Sequence, residues 1–190
     1  MVSSSSPPPD AAHLTAGRPA AKLTAVSVTP QLYREIMACF PSGVAIVTAH
    51  ESGDKPRGLT LSAFCAVSLD PPLVLVCVDK GSNTLPALQA SGGFTVNFLA
   101  GGREHLAVLY ASKAEEKFEG IAWHRPELPE GGPILHEDSA AYAVCTTRQA
   151  IEAGDHWVFI GEVRDGGVVD GRLPLVYHRR AFIDLAETED

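Results

Sequence analysis

One short segment in the middle of the chain contains no polar residue. It reads Leu73-Val74-Leu75-Val76-Cys77-Val78, after two prolines and before a polar run that starts at Asp79. An apolar run of about four to eight residues, rich in β-branched side chains and bounded by turn residues, is typical of a buried strand. We therefore predict a β-strand at 73–78 that is covered on both faces.

Other extended segments lie on both sides of this strand, and helices are few. A helix is predicted after Pro30, where Thr29 can cap it and Leu32, Ile36, Met37 and Phe40 share one face. Further short helices are predicted at 83–90 and 103–111. The strand predictions are 43–49, 57–69, 94–99, 142–151, 156–164 and 175–185, with loops at 51–56, 126–133 and 165–172. The pattern predicts a mainly β fold, a closed or partly open barrel flanked by short α-helices.

The N-terminal segment differs from the rest of the chain. Residues 1–27 are dominated by Ser, Pro and Ala and contain no Ile, Phe, Trp or Tyr. Such a composition cannot bury enough apolar surface to offset the entropy lost on ordering. We predict a disordered tail at 1–27, followed by a single domain at 28–190.

Composition and charge exclude several classes of protein. The 190 residues are 45% hydrophobic and carry a net charge of −8, so a sizeable core is expected and nucleic-acid binding is not. No apolar run is long enough to span a membrane. The cysteines at 39, 65, 77 and 145 form no CxxC pair, which argues against a metal site. We expect Cys65, Cys77 and Cys145 to be buried reduced thiols in a cytoplasmic protein.

The common nucleotide and hydrolase motifs are absent. GxGxxG, GxxxxGK[ST], HExxH and GxSxG do not occur in the chain. A Rossmann dinucleotide site and a P-loop are therefore not expected. An enzyme built on this sequence has to use residues that are distributed over several strands.

Two segments suggest ligand binding. In the run 58–64, small and hydroxylated residues alternate with apolar ones, which places Thr60 and Ser62 on one face of a strand, where a flat ligand could approach the backbone. The run 79–84 joins the buried strand to a helix start, where free N–H groups, hydroxyls and a lysine favour a phosphate. Each segment also fits a plainer interpretation, an amphipathic strand in one case and a helix cap in the other.

Two more positions are candidates for polar contacts with a ligand. Lys117 belongs to the run 113–118, just after a predicted helix, and it could instead be a solvated charge. His156 follows the turn pair Gly154-Asp155 and opens an apolar strand, so its ring could face a cleft or solvent.

Taken together and in order, these segments resemble the short flavin reductases, the small partners of two-component flavin monooxygenases. The resemblance covers residues 40–185. It implies the FMN-binding split β-barrel, a Greek-key type of fold. The segments that carry it are Phe40-Pro41-Ser42-Gly43-Val44, Thr60-Leu61-Ser62-Ala63-Phe64, Val67-Ser68-Leu69-Asp70-Pro71-Pro72, Ser82-Asn83-Thr84, Phe94-Thr95-Val96-Asn97-Phe98-Leu99, Lys117-Phe118, Gly154-Asp155-His156 and Pro174-Leu175-Val176-Tyr177.

The resemblance also implies roles for individual residues. The isoalloxazine edge would meet Thr60, Leu61, Ser62 and Ala63, largely through their backbone groups. The flavin phosphate would be held by Ser82, Asn83, Thr84 and Lys117, with Phe118 beside them, and the ribityl and ring region would be lined by Asn97, Phe98 and Leu99. His156 would be the catalytic residue, orienting the nicotinamide, with Tyr177 and Arg179 near the same pocket.

The implied activity is that of an NAD(P)H:flavin oxidoreductase. It would transfer a hydride from NADH to FAD or FMN and supply the reduced flavin to a separate monooxygenase. NADPH is the less favoured donor, because the acidic composition offers no obvious 2′-phosphate pocket. A homodimer is implied, since the flavin site of the family lies where two subunits meet.

Two other functions are compatible with the same barrel. One is a flavoprotein that retains FMN for other redox chemistry, similar to pyridoxamine-phosphate oxidase or to an electron carrier. The other is a flavin- or haem-binding module without enzymatic activity. Tight copurification of flavin would favour the first alternative over an exchanging reductase, and absence of NADH oxidation would favour the second.

Overall fold

The computed structural model describes residues 28–186 as ten strands and three short α-helices. The helices are α1 (Pro30–Ala38), α2 (Leu85–Ala90) and α3 (Glu104–Ala111). The strands are β1 (Ser42–Gly43), β2 (Ala45–Glu51), β3 (Lys55–Leu61), β4 (Phe64–Ser68), β5 (Leu73–Asp79), β6 (Gly93–Leu99), β7 (Ser139–Ala153), β8 (His156–Val168), β9 (Leu175–His178) and β10 (Ala181–Asp184).

Seven strands form one antiparallel sheet that curls around the main core. Its order is β3-β2-β6-β7-β8-β5-β4, so its two edge strands, β3 and β4, are consecutive in the chain. Buried side chains of β3 and β5, such as Leu59 and Val76, belong to the same hydrophobic cluster as Phe94 of β6. The sheet therefore forms a partly open barrel, and the mainly β prediction with short flanking helices is confirmed.

A smaller sheet closes one end of the barrel. It has the order β1-β9-β10, and Leu175 of β9 packs with Val44 and Ile46 in a second buried cluster. Helix α3 contributes Leu106 and Tyr110 to that cluster. This arrangement brings the β9–β10 hairpin and α3 to the same side of β3.

The strand predicted at 73–78 exists, but the prediction that both its faces are covered is wrong within this chain. Its burial alternates: Val74, Val76 and Val78 are buried, whereas Leu75 and Cys77 are only half-buried. The neighbouring strand β4 likewise exposes Cys65. Only the inward face packs against the core, so the expected burial of Cys65 is also wrong, and Cys145 is the one of the three predicted thiols that is buried.

Four boundaries differ from the sequence-based expectation. The stretch 57–69 is not one strand, because β3 ends at Leu61 and β4 begins at Phe64. The predicted loop at 165–172 begins late, since β8 continues to Val168 in a ladder with β7. The segment 175–185 is a hairpin of two strands, and α2 begins at Leu85.

Helix α1 begins as predicted, with the Thr29 hydroxyl accepting a hydrogen bond from the Leu32 N–H at 3.1 Å. Its apolar side chains, however, remain exposed, as does Phe40 just beyond its end, to 75%. None of the described helices is long and apolar enough to cross a membrane. The tail predicted at 1–27 lies outside the described residues.

Candidate active site

A cleft opens where β3 meets α3 and the β9–β10 hairpin. Gly58 of β3 allows this approach, because a Cβ at that position would lie 2.7 Å from the Tyr110 ring of α3. Two residues further along β3, the Thr60 hydroxyl donates to the carbonyl of Ala107 at 2.7 Å and ties the strand to the helix. The strand and the helix thereby form two fixed walls.

The middle of the cleft is a chamber of about 570 Å³, which we call the central chamber. Tyr177 and Phe182, a cross-strand pair of β9 and β10, pack against each other in its wall at a ring-centroid distance of 5.1 Å. Most of its walls are apolar, as expected for a site that takes a flat aromatic ligand. The lining residues are Val44, Thr60, Leu61, Ser62, Ala107, Val108, Ala111, Ser112, Tyr177, Arg180 and Phe182.

One side of the central chamber continues into a smaller cavity of about 180 Å³, here called the lysine end. It shares Thr60, Ala111 and Ser112 with the central chamber. Beyond these it is lined by Leu59, Asp79, Ser82, Asn83, Tyr110, Lys113 and Lys117.

The polar groups of the lysine end are held by the local backbone. The Lys113 ammonium donates to the carbonyl of Gly81 at 2.6 Å. The carboxylate of Asp79 accepts from the Gly81 N–H at 2.7 Å, and the Ser82 hydroxyl accepts from the Thr84 N–H at 3.2 Å. The turn that precedes α2 is therefore ordered, with two ammonium groups facing the cavity.

Lys117 is buried and anchors this end of the cleft. Its ammonium donates to the carbonyl of Tyr110 at 2.8 Å and to that of Gly58 at 3.2 Å. An ammonium has three donors, so one remains for a ligand. Burial, and then the charge of Lys113, lowers the pKa of Lys117 below the ordinary lysine value. An anionic ligand would relieve both effects, since it compensates the buried charge.

The opposite side of the central chamber opens into a cavity of about 560 Å³, here called the arginine end. It shares Ser62, Tyr177 and Arg180 with the central chamber and no residue with the lysine end. Its other lining residues are Tyr33, Arg34, Met37, Ala38, Phe40, Ser42, His178 and Arg179.

The pairing of charges distinguishes the cleft from the rest of the described chain. Outside the cleft, each lysine and arginine of residues 28–186 has a carboxylate oxygen within 4.0 Å; they are Lys55, Lys80, Arg57, Arg103, Arg125, Arg148, Arg164 and Arg172. The cations of the same range without such a partner are Lys113, Lys117, Arg34, Arg179 and Arg180, and all of them line one of the two ends. Although the protein has a net charge of −8, both ends of the cleft are therefore suited to bind anions.

Several residues implied by the resemblance do line the cleft. Thr60, Leu61, Ser62 and Tyr177 surround the central chamber. Ser82, Asn83 and Lys117 line the lysine end, whereas Arg179 lines the arginine end.

Other implied residues do not line the cleft of the single chain. Asn97 is fully buried: its amide nitrogen donates to the carbonyls of Ile46 and Pro133, both at 3.2 Å, and its oxygen accepts from Leu135. Leu99 is equally buried, in the second core cluster. In the single chain neither side chain reaches the cleft, because both hold the barrel together, and their contact with a flavin stays a prediction.

Four further implied residues lie beside the cleft. Thr84 is 2% exposed and donates its hydroxyl to the carbonyl of Gly58 at 2.9 Å, so it supports the lysine end from behind. Phe118 packs edge-on against Tyr110, Phe98 packs against Phe64, and Ala63 is exposed beyond the end of β3. These three are not among the residues that line the cleft.

His156 lies at the tip of the β7–β8 hairpin and not in the central chamber. It pairs with Asp79 of β5, whose carboxylate lines the lysine end, and its Nδ1 lies 2.7 Å from the carboxylate of Asp155. In a single chain His156 therefore lies closer to the lysine end than to the central chamber. Its catalytic role stays a prediction.

Several lining residues are not predicted from the sequence, above all Arg34, Arg180, Lys113 and Phe182. Lys113 stands in the run 113–118 that was singled out, and Arg180 directly follows Arg179. A charge-pairing signal could not have found them, because most of the other cations, such as Lys55 and Lys80, pair with carboxylates that are distant in sequence.

Comparison with known proteins agrees with this geometry. The family model for the flavin reductase like domain matches residues 37–186. The chain is 36% identical over 163 residues to the flavin-dependent monooxygenase reductase subunit HsaB of Rhodococcus jostii, covering 86% of this chain and 82% of that protein. It is 36% identical over 165 residues to a flavin reductase (NADPH) of Lentzea aerocolonigenes, covering 87% and 92%.

A solved structure matches over nearly the whole described domain. An NADH:FAD oxidoreductase of Streptomyces globisporus, in complex with NAD and FAD fragments, aligns with a TM-score of 0.78 and 32% identity. The alignment covers 87% of this chain and 100% of that one. The split-barrel fold expected from the sequence is thus confirmed.

Proposed function

This chain belongs to the flavin reductase-like domain family, and from that premise we propose that its cleft brings a flavin and a nicotinamide dinucleotide together for hydride transfer. The protein is an NAD(P)H-dependent flavin reductase. Among its relatives are a reductase subunit of a flavin-dependent monooxygenase and an NADPH-dependent reductase.

The observation that carries the proposal is the pattern of the cleft, an apolar chamber between two cationic ends. The central chamber has aromatic and small side chains for a tricyclic ring, and the lysine end has two ammonium groups for the phosphate next to the ribityl chain. The residues present therefore fit a flavin mononucleotide unit. FMN and the flavin half of FAD share that unit, so we propose that both are accepted.

The flavin supplies the electron chemistry, accepting a hydride at its N5 atom from the nicotinamide. The chain itself binds and orients the two rings. Stacking of two flat rings at reaction distance needs positioning more than acid–base groups, and positioning alone can supply several kcal/mol of rate acceleration. Thr60 and Lys117 keep the walls of the cleft in place, while Tyr177 and Phe182 exclude water from one side of the central chamber.

We propose that the reduced flavin leaves for a separate monooxygenase. Apart from the ammonium groups, the cleft offers a flavin few buried polar side chains, because Asn97 and Thr84 are engaged in the barrel. Moderate affinity suits a flavin that is exchanged in each cycle. Of the functions compatible with the barrel, this one also agrees with the relatives, which are named as reductases.

Either NADH or NADPH can serve as the donor in this proposal. The preference for NADH rested on the lack of an obvious 2′-phosphate pocket in the sequence, and the arginine end is a cationic pocket of sufficient size. A cytoplasmic location remains a prediction from the sequence.

We also propose that the protein is a homodimer. The outward face of the sheet carries half-buried or exposed apolar residues on paired strands, with Leu75 opposite Cys65 and Ile160, and Cys77 opposite Val158. A second subunit would cover such a face and could bring the His156 hairpin to another cleft. Light scattering should give twice the chain mass, and a monomer at working concentration would refute this part.

Steady-state oxidation of NADH and NADPH with FAD, FMN and riboflavin tests the proposed activity. We expect turnover with all three flavins and a higher KM for riboflavin, which lacks the phosphate that the lysine end would bind. Tight copurification of FMN without exchange during turnover would favour a flavoprotein that retains its cofactor. Failure to oxidise either dinucleotide would refute the reductase function.

A further inference from the structure

The turn between β9 and β10 is made of two arginines in an unusual backbone conformation. His178 pairs with Ala181, so Arg179 and Arg180 form a two-residue hairpin loop, with φ angles of 48° and 66°. Two positive φ angles are typical of a type I′ turn, which favours Asn-Gly because other residues are strained there. The chain thus keeps arginines where a different pair would stabilise the hairpin.

The position of this turn is fixed relative to helix α1. The Arg179 N–H donates to the carbonyl of Ala38 at 3.0 Å, at the end of the helix. Arg34 lies one turn earlier on α1 and lines the same cavity. Two separate elements therefore present three guanidinium groups to one cavity, and none of the three has a carboxylate partner among residues 28–186.

The cavity also has the surfaces that a nucleoside requires. Tyr33, Phe40 and Tyr177 line it, and an aromatic face can stack on a purine base. It connects to the central chamber through Ser62, Tyr177 and Arg180. A ligand could therefore place one ring in the central chamber and its phosphates among the arginines.

We propose that the arginine end binds the phosphate groups of the adenosine half of the nicotinamide dinucleotide. This inference rests on the proposed function and adds the place where the hydride donor is recognised. Guanidinium groups bind phosphate through paired, charge-assisted hydrogen bonds, which gives both affinity and orientation.

The flavin is the less suitable occupant of this end. A flavin whose phosphate lies at the lysine end has its ring in the central chamber, and its chain then leads away from the arginines. The two ends share no lining residue. The nicotinamide has to stack on the flavin ring, so the phosphates of the dinucleotide extend toward the remaining opening of the cleft.

The double variant Arg179→Asn with Arg180→Gly tests the proposal, because it removes both charges and supplies the residues that the turn prefers. We expect the KM of the nicotinamide dinucleotide to rise about tenfold or more, and the KM of FMN to stay unchanged. The thermal midpoint should stay the same or rise. A purely structural role for the arginines predicts the opposite, a lower midpoint with unchanged KM values.

A second variant and a control keep the test independent of the turn. Arg34→Gln lies on a helix and should raise the same KM without altering the fold. Arg164→Gln removes an arginine that is paired with Glu162 on β8, away from the cleft, and should change neither KM.

Comparing the KM values for NADH and NADPH distinguishes which phosphate the arginines bind. A higher KM for both NADH and NADPH assigns the arginines to the pyrophosphate, and a higher KM for NADPH alone assigns them to the 2′-phosphate; both support the proposal. A change confined to FAD, with FMN and both donors unaffected, would overturn it in favour of the flavin adenylate. Unchanged KM values in both arginine variants would overturn it as well.

Calorimetry with ADP and with adenosine 2′,5′-bisphosphate tests the same cavity without turnover. Binding by the wild-type chain that is lost in both arginine variants supports the proposal even if the reductase activity fails. Equal binding by wild type and variants would contradict it.

Discussion

The lysine end and the arginine end offer positive charge in different physical states. Lys117 is 8% exposed and donates to two backbone carbonyls, and Lys113 donates to a third. Arg34, Arg179 and Arg180 are exposed, and none of them appears in a side-chain hydrogen bond within residues 28–186. One end is assembled before any ligand arrives, whereas the other gains its contacts only with a ligand.

This difference suits the two ligands of a reductase. A preformed cavity of about 180 Å³ can hold one phosphate at a fixed distance from the ring, so that the flavin ring takes one position. The wider arginine end can accept a donor that must enter and leave in each cycle. Binding strength at the lysine end should therefore depend on buried contacts, and at the arginine end on exposed charges.

The largest expected effect is that of Lys117→Met. Loss of a charge-assisted hydrogen bond to phosphate should raise the KM of FMN by about tenfold to a hundredfold, with little effect on riboflavin. The carbonyl of Tyr110 also loses its donor, so the free energy of unfolding should fall by about 1–3 kcal/mol. Steady-state kinetics and urea denaturation measure the two effects.

Lys113→Met is the matched comparison, because Lys113 is exposed and bonds a single carbonyl. We expect it to raise the KM of FMN but to leave the unfolding free energy nearly unchanged. If both lysine variants lost the same free energy of unfolding, the distinction between Lys117 as a buried anchor and Lys113 as an exposed charge would be wrong.

His156→Ala should slow hydride transfer by about tenfold, a loss of roughly 1.4 kcal/mol. The reason is the predicted contact with the nicotinamide, made with the help of a second subunit. Stopped-flow reduction of bound flavin by NADH measures it. A normal reduction rate with a raised KM for FMN would instead place His156 at the lysine end, where its neighbour Asp79 lies.

Ionic strength should change the KM of the ligands at the two ends to different extents, by a smaller, several-fold effect. Exposed charges are screened within about 10 Å at 0.1 M ionic strength, and buried ones much less. Raising the ionic strength should therefore increase the KM of the donor more than that of FMN. A larger increase for FMN would reverse the assignment of the ends.

The fold could be predicted from local patterns in the sequence. The apolar run at 73–78, the Thr29 cap and the alternation along β3 reflect local backbone preferences, and the structure retains all three elements. The coverage of the outer sheet face could not be predicted, because burial on that side depends on what packs there and not on the strand itself.

The site was predictable only in part, since the same residue types serve structure and binding. Asn97 and Thr84 looked like ligand contacts, but each satisfies backbone groups from a distant segment. Arg34 and Arg180 are separated by most of the chain, and only the fold shows that they line one cavity and have no acidic partner among residues 28–186. Ion pairing over such distances leaves no pattern in a single sequence.

A crystal structure of the protein with FMN and NADP⁺ bound would show directly which end of the cleft binds the phosphate of each ligand. We expect the FMN phosphate within about 3.2 Å of the ammonium of Lys113 or Lys117, and the phosphates of NADP⁺ within the same distance of the guanidinium groups of Arg34, Arg179 or Arg180. An FMN phosphate bound by the arginines, with the lysine end empty, would contradict this expectation.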